Sequence, residues 1–249
     1  MNQNPNKLDI LAIAGHPDDA ELACSGTILK HIKQGYKVGI LDLTEGELGT
    51  RGNRQLRYEE ANKSSKILRV HFRHNLNLGD GFFEINTDSL MKIIEILRFT
   101  QPEIVLANAI SDRHPDHEKA ALLIKDACFL AGLIKIETTF NGEPQKAWRP
   151  KKIFNYIQDR HLEPDFVIDI SDVWDTKKES ILAYRTQFYS TDIDGPNTYI
   201  SSPEYLNSIE YRNVMMGKKI GVKYGEGFTC THSHLGLKDF SNLVFPSIA

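Results

Sequence analysis

Two short stretches carry most of the residues able to hold a metal ion or move a proton. The first is Gly15-His16-Pro17-Asp18-Asp19-Ala20-Glu21, and the second, far along the chain, is Asp112-Arg113-His114-Pro115-Asp116-His117. Imidazole nitrogens and carboxylates suit zinc, and a catalytic zinc commonly takes three protein ligands and keeps one position open. Two His and one carboxylate would satisfy that pattern. A carboxylate left over can serve as general base. A spare His can donate to a developing oxyanion. Spacing does not say which of Asp18 and Asp19 is the ligand. Asp is also favoured at helix starts, where it merely caps. Two such clusters at corresponding strand ends argue against capping alone.

Those strand ends follow from the apolar pattern. Leu8 to Ala14 is a continuous apolar run broken only by Asp9, as a buried strand requires. Ala20 to Gln34 has helical spacing and stops at Gly35. Val38 to Thr44 is a second strand, Glu45 to Asn53 a Gly-rich loop, and Arg54 to Leu68 a helix. A weaker strand begins over Val70 to Phe72. Thr87 to Thr100 is helical, with Leu90, Ile93, Ile94 and Leu97 on one face. Glu103 to Ala107 is a fourth strand, and a helix starts at His114-Pro115. Lys152 to Ile157 and Phe166 to Ile170 read as strands. The remainder reads as mainly helical, with a Gly-rich break over Gly221 to Gly227.

This alternation predicts an α/β fold: a Rossmann-like, doubly wound, mostly parallel sheet with helices on both faces. In the common strand order 3-2-1-4, strands one and four are neighbours at the switch point, where such sheets bind ligands. The two clusters should therefore face each other across one crevice. At about 150 residues per domain, 249 residues suit one or two domains. No Pro/Gly/Ser-rich linker divides the chain, so one domain over residues 1–249 is expected. Its core would span about 7–170, with a C-terminal helical elaboration over 171–249.

Thirty basic against 33 acidic residues give a net charge of −3, which argues against nucleic acid or an anionic membrane as partner. The polar N-terminal residues hold no apolar signal core. Cys24, Cys128 and Cys230 are too scattered for a disulfide framework and read as small hydrophobes. A cytoplasmic location is the expectation.

With these residues in place, the sequence resembles the zinc-dependent N-deacetylases of the LmbE/PIG-L type. The resemblance rests on His16-Pro17-Asp18-Asp19-x-Glu21 and His114-Pro115-Asp116-His117. It extends through Leu43-Thr44-x-Gly46-Glu47, Arg57-x-Glu59-Glu60-Ala61, Leu78-Gly79-Asp80-Gly81, Asn108 and Asp112-Arg113. Trp148-Arg149-Pro150, Ser201-Ser202-Pro203-Glu204 and Gly221-Val222-Lys223-Tyr224-x-Glu226 look most like the bacillithiol-biosynthesis branch, whose members deacetylate N-acetylglucosaminyl malate. The resemblance implies that His16, Asp19 and His117 bind Zn2+, or Fe2+ in the cell. It implies Asp18 as general base and His114 as oxyanion partner, acting as an imidazolium. It further implies a small acetylated amino-sugar substrate and a homo-oligomer.

Asp116 either orients an imidazole or is a solvated first-turn acid. Glu47 and Arg57 frame the loop after strand two. Arg57 can hold a substrate carboxylate such as that of malate, or form a surface salt bridge. Asp80 can bind sugar hydroxyls or shape a turn. Arg113 is a substrate contact or a structural ion pair. Lys223, Tyr224 and Glu226 belong to a loop that either closes over the site or is plain connection. His232 and His234 read as a solvated tail. A nucleotide-binding Rossmann domain is the rival reading, with Asp42 near the ribose-binding position. However, His16-Pro17-Asp18-Asp19 replaces the glycine-rich turn, and its carboxylates would repel a pyrophosphate. A two-metal phosphoesterase lacks a second ligand set, and a structural zinc site lacks its cysteines.

Overall fold

The computed structural model describes residues 4–188, 195–231 and 233–236. Its elements, in chain order, are β1 (Ile10–Ala14), α1 (Asp19–Lys33), β2 (Val38–Asp42), α2 (Arg54–Leu68), β3 (Phe72–Asn75), α3 (Thr87–Thr100), β4 (Ile104–Ala107) and α4 (Pro115–Ala131). A small hairpin follows, β5 (Thr139–Phe140) with β6 (Glu143–Pro144). Then come β7 (Lys152–Tyr156), β8 (Phe166–Asp169), α5 (Trp174–Leu182), α6 (Pro203–Ile220) and β9 (Gly225–Thr229).

The main sheet has the order β3-β2-β1-β4-β7-β9-β8. The first five strands run parallel, and β9 pairs antiparallel with both β7 and β8. Period-two alternation divides the core between the faces. Ile10, Ala12 and Ala14 of β1 join the cluster that also holds Ala20 and Ile28 of α1, Ala61 of α2, Ile181 of α5 and Ile209 of α6. Leu11 and Ile13 join the opposite cluster, with Ile93 and Leu97 of α3 and Ile124 of α4. Strand β1, covered on both faces, is wholly buried. The expected α/β doubly wound sheet, with β1 beside β4, is observed.

The Gly221–Gly227 stretch departs from its expected reading. It runs into the strand β9, all five residues of which are buried. A Cβ on Gly225 would lie 2.5 Å from Val167 Cγ1 and 2.9 Å from the Gly217 nitrogen. A Cβ on Gly217 of α6 would lie 2.7 Å from the Val222 carbonyl. These glycines let a helix backbone and a strand backbone touch; they do not confer a loop. The third strand also begins two residues later than expected, at Phe72. No helix among the described residues is long and apolar enough to cross a membrane.

Candidate active site

The chain leaves β1 at Ala14 and turns through Gly15-His16-Pro17 into α1. Asp18 stands at the N-cap position with φ of 130°, yet its side chain makes no capping hydrogen bond. A non-glycine residue in that region carries strain of order 1–3 kcal/mol, held by its surroundings. The plain capping reading of Asp18 is thereby removed. Its carboxylate is buried and faces Arg57 Nη1 at 3.3 Å. Burial raises the Asp18 pKa to about 7, against the opposing pull of Arg57.

Asp19 points the other way. Its Oδ2 accepts the His16 backbone N–H at 3.0 Å and Asn108 Nδ2 at 2.9 Å, and its Oδ1 accepts Gln158 Nε2 at 2.9 Å. Oδ1 also faces His117 Nε2 at 3.1 Å, and Oδ2 lies 3.6 Å from His16 Nδ1. Although burial opposes it, the neighbouring His117 and His16 hold the Asp19 carboxyl well below its usual range.

The second cluster arrives from the loop after β4 and the start of α4. His114 caps α4, its Nδ1 accepting the Asp116 backbone N–H at 3.3 Å. That bond leaves Nε2 as the donor nitrogen. Burial, with His16 and His117 close by, lowers the His114 pKa. His117 gives its Nδ1 to the buried Asp112 carboxylate. Burial disfavours charge on His117, but Asp19 and Asp112 lift its pKa to about 9.

His16 is gripped from behind. Its Nε2 lies 2.9 Å from Asp80 Oδ1 and 3.4 Å from Asp116 Oδ2. Asp80 itself accepts the Leu48 N–H, and its own N–H donates to Glu47 Oε1. Asp80 and Glu47 thus build the turn that holds His16, the second of the two readings given for Asp80, and Asp80 also lines the pocket. Asp116 also accepts from the Gly81 N–H and Lys119; it is fully buried rather than solvated, and the imidazole its carboxylate faces is that of His16.

Buried carboxylates therefore encircle imidazoles, with one ligand-capable nitrogen on each of His16, His114 and His117 lying within 4.8 Å of the others. His16, His117 and Asp19 meet at one pocket of about 300 Å³, which Asp18, His114 and Arg57 also line. Two nitrogens and an oxygen with oriented partners behind each suit a divalent cation such as zinc.

Arg57 is 5% exposed, so it is no surface salt bridge. Its Nε and Nη1 make no hydrogen bond among the described residues, the contact with Asp18 being an ion pair only. Arg113 is both a pocket residue and an ion pair, with Nε 3.0 Å from Asp159 and its guanidinium over the Tyr199 ring. Glu226 lies away from the pocket. It accepts from the Gly26 and Thr27 N–H groups of α1 and from Lys177 at 2.6 Å. Lys223, Tyr224 and Glu226 therefore form no cover over the site. His234 is exposed, and His232 lies outside the described residues.

A profile of the PIG-L family, described as GlcNAc-PI de-N-acetylase, matches residues 11–128. Diacetylchitobiose deacetylase of Thermococcus kodakarensis is 30% identical over 233 residues, covering 88% of this chain and 81% of that one. The chain belongs to the PIG-L/LmbE family. As a family member it is a hydrolase of amide bonds, and metal dependence accords with its His/Asp site. A probable N-acetyl-α-D-glucosaminyl L-malate deacetylase of Bacillus subtilis is 28% identical over 198 residues, covering 73% of this chain and 84% of that one. Among solved structures, the conserved protein TT1542 of Thermus thermophilus superposes with a TM-score of 0.82 at 33% identity, covering 93% of this chain and 98% of that one. Sequence reasoning gave no role to Asp112, Asn108 or Gln158 of this PIG-L member. Their signal was available: polar residues just past the C-terminal ends of neighbouring strands.

Proposed function

We propose that this protein is a single-metal N-deacetylase of an N-acetylglucosamine conjugate, with N-acetylglucosaminyl L-malate as substrate and zinc or ferrous iron as metal. The observation that carries this reading is the convergence of His16, Asp19 and His117 at one pocket that also holds Asp18. A bound divalent cation supplies Lewis acidity and brings the pKa of water near 7.

Asp18, not engaged in capping, takes the proton from the attacking water and passes it to the leaving amine. His114 donates its Nε2–H to the carbonyl oxygen as charge develops; such a donor is worth about 10²–10³ in rate. Arg57 supports an acidic conjugate, since its guanidinium lines the pocket beside Asp18 and a guanidinium suits a carboxylate. The likeness to the Bacillus subtilis relative supports the same choice, while the Thermococcus relative supports a chito-disaccharide.

The test is acetate release from N-acetylglucosaminyl malate, N,N'-diacetylchitobiose and free N-acetylglucosamine. Preference for the malate conjugate is expected. Preference for the disaccharide would shift the substrate and leave the chemistry, and release from none would refute both.

A further inference from the structure

Asp19 is held by more donors than a carboxylate needs to stay in place. Oδ2 has both of its in-plane positions filled, by the His16 backbone N–H and by Asn108 Nδ2. Oδ1 has one filled, by Gln158 Nε2, and turns its remaining side toward His117 Nε2. All three donors are neutral amides, so the carboxylate keeps its charge and its electron pairs are allotted in advance. The amides are fixed in turn. Asn108 Oδ1 accepts the Gly15 N–H at 2.8 Å, and Asn108 Nδ2 also reaches Gln158 Oε1 at 3.0 Å. Asn155 Nδ2 donates to the Asn108 carbonyl at 2.7 Å. Arg212 of α6 donates to the Gln158 carbonyl and, at 2.9 Å, to the Leu22 carbonyl of α1. Asn108, Asn155 and Gln158 are all at most 3% exposed.

We infer that Asn108 and Gln158 are positioning residues that make Asp19 a one-oxygen metal ligand through Oδ1, with Arg212 bracing Gln158 against α1. This rests on the metal site proposed above. Asp18, one residue away, has no such amides among the described residues, and this difference separates ligand from base. Without the Gln158 donor, Oδ1 loses the one amide that aims it, while Oδ2 stays held by the His16 N–H and Asn108.

Gln158→Met removes the donor and keeps the length of the side chain. Metal-stripped protein is titrated with Co2+, reading both affinity and the visible d–d bands. Oriented outer-shell partners are typically worth about 10–100-fold in metal affinity, and a loss in that range is expected. The bands should also shift, because Oδ1 is no longer aimed at one position. Thr138→Val, which removes a buried partner of Arg98 remote from the pocket, controls for loss of stability and should bind as the unsubstituted protein does. Gln158→Glu, of the same shape, turns an acceptor toward Asp19 and should weaken binding even if the Met variant does not fold. Wild-type affinity and spectrum in either Gln158 variant would overturn the inference while sparing the metal site. No Co2+ binding by the unsubstituted protein would overturn both.

Discussion

Asp112 holds Nδ1 of His117 from five residues earlier in the chain, and so aims Nε2 of that ring at Asp19, 3.1 Å away. The carboxylate fixes both the tautomer and the direction of Nε2. It is itself anchored by the backbone N–H groups of Asp159 and Arg160. Asp112→Asn keeps an acceptor but loses the charge, and should weaken metal binding about tenfold; Asp112→Ala should approach about 100-fold. Competition with a chromophoric chelator measures both. Unchanged affinity in the Ala variant would remove Asp112 from the site.

Asp18 and Asp19 differ by one position and should differ completely in phenotype. Asp18→Ala is expected to retain metal and lose turnover by a factor on the order of 10²–10⁴, the usual contribution of a general base. Asp19→Ala is expected to lose the metal. Metal analysis of the two purified variants decides this, and the reversed pattern would exchange their roles.

Gly46 has φ of 63°, and a Cβ there would sit 2.7 Å from Arg57 Nη2. Gly46→Ala should therefore displace the guanidinium as well as strain the turn by about 1–2 kcal/mol. KM for an acidic conjugate should rise about tenfold, the equivalent of 1.4 kcal/mol, with a smaller effect on a neutral disaccharide. Equal effects on both substrates would show that Arg57 does not read the acid.

The pair of Lys177 and Glu226 is fully enclosed, and Glu226 takes N–H groups from the middle of α1. Breaking a buried pair by removing one partner typically costs about 3–5 kcal/mol. Lys177→Met should lose stability on that scale in urea unfolding, and Lys177→Met with Glu226→Gln should lose less. Folded Glu226→Gln should keep its KM, as expected of a residue that forms no cover over the pocket.

The parts of this protein legible in its sequence are those governed by local pattern. Buried runs and helical periodicity place β1 to β4, and the 3-2-1-4 order brings His16 and His117 together. The choice between Asp18 and Asp19 was not legible, because it rests on Asn108 and Gln158, whose contacts are 89 and 139 residues away in sequence. From sequence Asp80 stays open between a sugar contact and a turn, because nothing local reveals that it meets His16, 64 residues earlier. Strand β9 was missed because glycine usually marks loops, whereas here it admits the backbone of α6. Lys177 and Glu226 carry no periodic signature, since their pairing exists only after α5 and β9 dock on α1.

On the function proposed above, one divalent metal held by His16, Asp19 and His117 serves amide hydrolysis. Stripping the protein with a chelator and adding zinc back, while following acetate release from an N-acetylglucosamine conjugate, puts that to the test. Release should vanish in the stripped protein and rise to a plateau at one equivalent of metal per chain. Undiminished release from the stripped protein, or a plateau only at two equivalents, would contradict a single catalytic metal.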